Sequence, residues 1–250
     1  MSQPDGSVFY RIGRLAGRKA RKATWVWHSL TGDDDKAIEA EHGVGADMAA
    51  VVREKSGVEA DPALRALLDD ISQALAGVVR NRLHRFEVGV VGDEPPTAYA
   101  LPGGFIFLTA SLADLCGRDR DELGFVVAHE MAHVIRRHAV NRLLRQTAYS
   151  AASLVTPGRG VIAPWLHRIG LEWLERAYSR EQELEADALA GLLTRAAGFD
   201  PDGALRLLER LRTLEPAGGK GMGAYLSTHP PVDERLAALR PRPAPRSTSG

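Results

Sequence analysis

Residues 126–138 read VVAHEMAHVIRRH and contain two histidines four positions apart, His129 and His133, with Glu130 directly after the first. In an α-helix, side chains four residues apart lie one above the other on the same face. The two imidazoles would therefore project together, as two ligands of one metal ion must, while Glu130 is rotated towards a water molecule beside the metal. This geometry explains the spacing of the residues in the His-Glu-x-x-His signature. The stretch predicts a catalytic zinc with His129 and His133 as metal ligands and Glu130 as the catalytic base.

A third ligand is required, because catalytic zinc sites have three protein ligands and one open position. The extended form of the motif that ends in a third histidine would need glycine at 136 and histidine at 139, where this chain has Arg136 and Ala139. His138 is nine residues from His129, which on a continuous helix turns it to the opposite side. We therefore expect His138 to be a surface or helix-packing residue, and the third ligand to be a carboxylate from another helix.

The stretch SREQELEADALA, residues 179–190, offers four carboxylates on a predicted helix: Glu181, Glu183, Glu185 and Asp187. Glu183 and Asp187 are four residues apart and share a face. One of them could bind the metal and the other orient a histidine. The spacing alone does not decide between them.

Three motifs in order now carry a family resemblance: HEMAH at 129–133, YSREQELEAD at 178–187 and STHPPVDER at 227–235. Together they resemble the zinc metallopeptidase family that contains the CAAX prenyl protease, bacterial HtpX and periplasmic BepA. The segment AYALPGGFIFLTASL, at 98–112, is also similar to the family's segment before the catalytic helix, although the usual asparagine at its start is Thr97 here. The resemblance covers about residues 62–239. It implies that Glu183 is the third zinc ligand and that Asp187 contacts a ligating histidine.

The last motif adds two candidates, His229 and Arg235. The resemblance places both at the active-site cleft, where His229 would approach the zinc as a gating ligand or, like Arg235, help to stabilise an oxyanion. From the residues alone, HPPVDER is equally a helix start in which Arg235 pairs with a nearby acid.

The implied function is a zinc-dependent endopeptidase that hydrolyses peptide bonds of protein substrates, in a role such as protein quality control. Two alternatives stay open: a non-catalytic or autoinhibited zinc-binding chaperone or interaction module on the same fold, and a helical protein without metal. The strand FIFLT, residues 105–109, is a candidate edge to which an extended substrate adds. An ordinary core strand fits that segment as well.

The rest of the chain predicts an α+β fold, a mostly helical zincin-like metallopeptidase domain with a small β-sheet beside the catalytic helix. Its boundaries are 62–240, after a basic N-terminal extension at 1–61 and before a disordered tail at 241–250. The predicted helices cover 61–80, 118–150, 171–198, 202–215 and 231–240, and the predicted strands 86–92 and 105–109.

Composition limits partners and location. The 250-residue chain has a formal net charge of zero, which gives no argument for nucleic acid. It has a single cysteine and no apolar run long enough for a transmembrane helix, so we expect a cytoplasmic protein. The basic and Trp-containing residues 8–30 could contact an anionic membrane surface, but a solvated helix is the simpler interpretation.

Overall fold

The structure is a computed structural model that describes residues 34–56, 61–92, 95–141, 178–214 and 232–240. Within these ranges the chain forms seven α-helices, the 3-10 helix Pro102–Gly104 and three strands, and residues 138–141 are helical as well. In chain order they are α1 Asp34–Ser56, α2 Pro62–Val78, β1 Glu87–Val91, β2 Ala98–Leu101, β3 Phe105–Thr109, α3 Ala110–Leu115, α4 Arg120–Ile135, α5 Arg180–Ala196, α6 Asp202–Leu214 and α7 Val232–Leu239. The predicted fold class, a mostly helical α+β domain with a small sheet, is confirmed.

The helix α2 follows its sequence signals closely. The Asp61 side chain accepts hydrogen bonds from the backbone N–H groups of Ala63 and Leu64, and Pro62 occupies the first helical position. These contacts satisfy amide groups that the helix itself leaves without a carbonyl. The apolar residues at helical spacing form the buried face: Leu64, Leu68, Ile71 and Leu75.

The sheet has the strand order β1-β3-β2, with β1 parallel and β2 antiparallel to β3. The two predicted strands are confirmed as β1 and β3, whereas β2 was not predicted. Because β3 is hydrogen-bonded on both sides, the prediction that FIFLT offers an edge to a substrate is wrong. Among the described strands, β1 and β2 form the edges of this sheet.

Helices cover both faces of the sheet, which explains why every residue of β3 is buried. Phe105 and Phe107 face the helix α1, in a cluster that includes Met48. Ile106 and Leu108 face the other way, into the main core with α2 and α4. A strand buried on both faces must be apolar throughout, as FIFLT is.

Residues 34–56 of the predicted extension thus form α1, a helix that packs on the sheet. Its close approach depends on Gly45, where a Cβ atom would lie 1.8 Å from the Pro102 carbonyl oxygen. In the same contact, His42 Nδ1 lies 3.0 Å from the Gly103 carbonyl oxygen. The division of the chain at residue 61 stays a prediction, and residues 1–33 and 241–250 lie outside the described ranges.

The helix α4, which contains the His-Glu-x-x-His motif, is shorter than predicted. It ends at Ile135, the backbone turns at Arg136 and Arg137, and the chain is helical again at 138–141. Arg137 has a positive φ of 55°, and its guanidinium donates to Glu41 Oε1 from Nε at 2.9 Å and from the terminal nitrogen at 2.6 Å. This contact with α1 favours the break, and the prediction of one continuous helix is wrong. Residues 142–150 of that predicted helix lie outside the described ranges.

The helix α5 begins at Arg180, where Ser179 and Gln182 form a capping box; residues 171–177 of the predicted helix lie outside the described ranges. It ends at Ala196, before Gly198 with a φ of 81°, as the sequence predicts. In the described parts of the chain, no helix combines the length and apolar character needed to cross a membrane.

Candidate metal centre

Three side chains from two helices converge in the core. His129 and His133 come from α4 and Glu183 from α5, and each is at most 1% exposed. The Nε2 atoms of the two histidines are 3.1 Å apart. Glu183 Oε2 lies 3.4 Å from His129 Nε2, and Glu183 Oε1 lies 3.4 Å from His133 Nε2. These three residues can hold one metal ion.

The separations fit a tetrahedral zinc ion. Zinc binds imidazole nitrogen and carboxylate oxygen at about 2.0–2.2 Å, so two ligand atoms at tetrahedral corners would lie about 3.3–3.6 Å apart. The observed distances of 3.1, 3.4 and 3.4 Å are close to that range. Two imidazoles and one carboxylate are also a donor set found in catalytic zinc sites, with a fourth position left for water.

The local sequence explains how Glu183 reaches the histidines. Because Ser179 caps α5, Glu183 lies near the helix start, where the partial positive charge of the backbone amides stabilises a carboxylate. On α4, residues 122–134 are all buried, so the histidines point into a dense core and not into solvent. The three candidate ligands are therefore held by the packing of α4 against α5.

Asp187 contacts the ring nitrogen of His129 that does not face the other two candidate ligands, and Arg235 in turn binds Asp187. His129 Nδ1 lies 2.9 Å from Asp187 Oδ1. Arg235 donates to both oxygens of Asp187, from Nε at 2.8 Å and from a terminal nitrogen at 2.7 Å. The second oxygen–nitrogen pair makes the contact bidentate, which fixes the carboxylate plane as well as its position. Asp187 and Arg235 are each 1% exposed.

The charges of this group shift two pKa values. Burial by itself raises the pKa of Asp187, but the Arg235 charge and the hydrogen bonds from His129 and Arg235 lower it to about 2. For His129 in the metal-free protein, burial and the Arg235 charge lower the pKa, but hydrogen bonds to Asp187 and Glu183 raise it to about 9. Asp187 is thus ionised at neutral pH, and His129 carries a proton that a bound metal ion would displace.

His133 has a different set of neighbours, and the sequence did not point to either of them. His138 Nδ1 lies 3.0 Å from His133 Nδ1, and the Tyr178 ring stacks on the His133 ring at a centroid distance of 3.9 Å. Because α4 ends at Ile135, His138 is not on the opposite side of a continuous helix, and it is only 4% exposed. It is buried beside the candidate metal ligands, so the surface alternative is wrong, whereas its contact with Glu185 of α5 fits the helix-packing alternative.

The remaining predicted site residues divide as follows. Glu130 follows His129 on α4 and is 1% exposed. Arg235 lies against Asp187, the nearby acid that the simpler interpretation required, with a nitrogen 3.9 Å from Glu183 Oε2. His229 and the basic segment 8–30 lie outside the described ranges, so their roles stay predictions.

Comparisons with family models, individual proteins and solved structures each find similarities to this chain. The model of peptidase family M48 matches residues 62–242. The mitochondrial metalloendopeptidase OMA1 of Schizosaccharomyces pombe is 35% identical over 161 residues, which is 62% of this chain and 46% of that protein. A putative beta-barrel assembly-enhancing protease of Vibrio cholerae is 27% identical over 203 residues, which is 77% of this chain and 42% of that protein. The chain thus spans less than half the length of these relatives. The crystal structure of S. mikatae Ste24p aligns with a TM-score of 0.39 and 18% identity, over 86% of this chain and 66% of that one.

Proposed function

Because the chain belongs to peptidase family M48, we propose that it is a zinc-dependent endopeptidase that hydrolyses peptide bonds of protein substrates. Family membership confirms the resemblance predicted from the three sequence motifs. The observation that carries the proposal is the convergence of His129, His133 and Glu183 within ligand distance of one another. We propose one zinc ion per chain at this site.

The residues of the chain have separate tasks in this proposal. When bound, zinc would supply Lewis acidity and bring the pKa of a water molecule towards about 7. Glu130 would accept the proton of that water and later deliver a proton to the leaving amine. Asp187 would hold His129 through Nδ1, which leaves Nε2 directed at the other two ligands. Arg235 holds Asp187 in place, and its contacts favour this positioning task over direct binding of an oxyanion.

An extended substrate would add to the outer edge of β2. Among the described strands none pairs with that edge, and β2 packs against the motif helix α4. A peptide held by main-chain hydrogen bonds is selected by its extended backbone more than by its side chains. This predicts cleavage of unfolded segments of varied sequence, as a role in protein quality control would require.

A cytoplasmic location, a peripheral membrane contact through residues 8–30 and the lack of a nucleic-acid partner are proposals based on the sequence.

The test of the proposed activity is cleavage of an unfolded protein by the zinc-loaded chain and by Glu130→Gln. The variant keeps the three metal ligands but lacks the base, so zinc content should be unchanged while cleavage falls by about 10²–10⁴-fold. Glu181→Gln is the matched control, because Glu181 is an exposed glutamate at the start of α5. Full activity of Glu130→Gln would contradict the mechanism.

The alternative function, a zinc-binding module held shut, has its own outcome in the same assay. If the wild type binds zinc but is inactive and His229→Ala is active, the chain is a gated enzyme. If both are inactive with zinc bound, a binding or chaperone module is favoured.

A further inference from the structure

The two candidate zinc-binding histidines differ in the residue that contacts Nδ1, the ring nitrogen that does not face the metal site. His129 Nδ1 faces a carboxylate, Asp187, at 2.9 Å. His133 Nδ1 faces another imidazole, His138, at 3.0 Å. His138 in turn contacts Glu185 Oε2 through Nε2 at 3.3 Å, and Arg136 Nε lies 3.0 Å from the other oxygen of Glu185. A chain of contacts therefore runs from His133 to the protein surface.

We propose that His138 is the positioning residue of His133, and that it holds the His133 ring in the orientation and protonation state needed to bind the metal. This inference rests on the proposed metal site at His129, His133 and Glu183. His138 itself is not assigned as a ligand, since its Nδ1 contacts the back of the His133 ring and not the ligand atoms.

The proton positions follow from the donor and acceptor capacity of each group. A neutral imidazole has one N–H donor and one bare nitrogen acceptor. His133 Nε2 must be bare to bind a metal, so its Nδ1 carries the proton and donates to His138 Nδ1. His138 then carries its own proton on Nε2 and donates it to the Glu185 carboxylate. Each contact in the chain thus has one donor and one acceptor, and His138 is neutral.

The break after α4 is what makes this contact available. On a continuous helix, five positions at about 100° each would place His138 about 140° around the axis from His133. The turn at Arg136 and Arg137, with a φ of 55° at Arg137, brings His138 back to the His133 ring. Glu41 of α1 holds Arg137, and Arg136 holds Glu185. Arg137 thus anchors the backbone just before His138, and Arg136 holds the glutamate that contacts the His138 ring.

Tyr178 supplies the complementary restraint. Its ring lies at 22° to the His133 ring, with the centroids 3.9 Å apart. Stacking fixes the plane of the His133 ring but does not distinguish the two orientations related by a 180° flip about the Cβ–Cγ bond. The hydrogen bond from Nδ1 to His138 selects one of them, so the two neighbours together define the direction of Nε2.

The test is the zinc affinity of His138 variants, measured by competition with a chromophoric chelator, together with the visible spectrum of the Co²⁺-substituted protein. In His138→Asn, the amide oxygen occupies nearly the place of the lost Nδ1 and can accept the same hydrogen bond. In His138→Gln and His138→Ala, no acceptor lies at that place. We expect Ala and Gln to weaken zinc binding by about 10–100-fold and to change the Co²⁺ spectrum, while Asn stays within about threefold of the wild type.

A residue that only fills space would give a different order of affinities. Equal affinity of the wild type and His138→Ala, or an Asn variant no better than Ala, overturns the inference while leaving the proposed function intact. Absence of zinc binding in the wild type overturns both.

A second measurement does not depend on the folding of variants. In the zinc-loaded wild type, long-range ¹H–¹⁵N spectra of the imidazoles should show His133 protonated at Nδ1 and His138 protonated only at Nε2. A proton on His138 Nδ1 contradicts the inference.

Discussion

The buried pair between Arg235 and Asp187 gives the strongest prediction about stability. Both side chains are at most 2% exposed, and two short hydrogen bonds join them. In Arg235→Met the Asp187 carboxylate stays buried, and of its described contacts only the one with His129 remains. Removing one partner of a buried ion pair costs about 3–5 kcal/mol when the other charge is left without compensation. In the metal-free protein the protonated His129 still faces Asp187, so the loss should not exceed the upper end of that range.

The assay is urea unfolding of the metal-free protein, with thermal unfolding as a second probe. For Arg235→Met we expect a loss of at most about 5 kcal/mol, which corresponds to a fall in Tm of no more than roughly 20 °C for a chain of this size. Arg235→Lys keeps the charge but cannot form two parallel bonds, so its loss should be smaller. The matched control is Arg240→Met in the exposed pair with Glu209, for which we expect at most about 1 kcal/mol.

The pH dependence of this effect has a definite sign. The pKa of Asp187 is lowered to about 2 in the folded protein, below its unfolded value of about 3.9. The stabilisation by the pair is therefore complete above about pH 4 and is lost as the pH falls through about 2. The difference between wild type and Arg235→Met should shrink over that window. A loss in Arg235→Met no larger than in Arg240→Met at pH 7 would refute this account of the pair.

Three further predictions follow from other parts of the structure. Cys116 is 1% exposed, and burial raises the pKa of its thiol to about 12, so iodoacetamide should label the native protein at pH 8 far more slowly than the unfolded chain; equal rates contradict this. Because the pKa of His129 is raised to about 9 in the metal-free protein, the stabilisation linked to its proton is complete below about pH 6.5 and lost as the pH rises through about 9. The stability of the metal-free protein should therefore fall over that pH range, while its zinc affinity should rise because zinc displaces the proton. Calorimetry measures the first trend and chelator competition the second. A zinc affinity that does not change with pH contradicts the assignment of His129 as a ligand. Gly45→Ala should lower the free energy of unfolding by about 1–3 kcal/mol, because the added Cβ clashes with Pro102. Gly77→Ala, whose added Cβ meets no atom within 4 Å, should instead stabilise α2 by up to about 1 kcal/mol. Equal effects of the two substitutions in urea unfolding would contradict the packing of α1.

The sequence predicted correctly those features that depend on interactions between residues close together in the chain. Asp61 and Pro62 mark the start of α2 because a capping carboxylate and a proline each act within one turn of the helix. The spacing of His129 and His133 predicts a shared face because both lie before the helix break. For Glu183 the spacing left Asp187 as an equal candidate, and the choice between them came from the family resemblance.

The features that the sequence did not predict depend on contacts between distant segments. The break after Ile135 accompanies an ion pair between Arg137 and Glu41, which are 96 residues apart. His138 was therefore placed on the wrong side of a helix that does not continue.

The sheet shows the same limit. The prediction of an edge role for FIFLT failed because the second partner of β3 is the four-residue strand β2, which is too short to show an alternating pattern. The helix α1 likewise packs through Gly45, a residue that gives no helical signal.

The zinc content of the purified chain and of Glu183→Gln is the most direct test of whether His129, His133 and Glu183 bind zinc. We predict one zinc ion per chain in the wild type and a large loss in Glu183→Gln, because two histidines alone do not complete a catalytic zinc site. Glu181→Gln, with its exposed side chain, should retain the wild-type content. Zinc binding at this site would be contradicted by a wild type without zinc, or by a Glu183→Gln variant that binds zinc as tightly as the wild type.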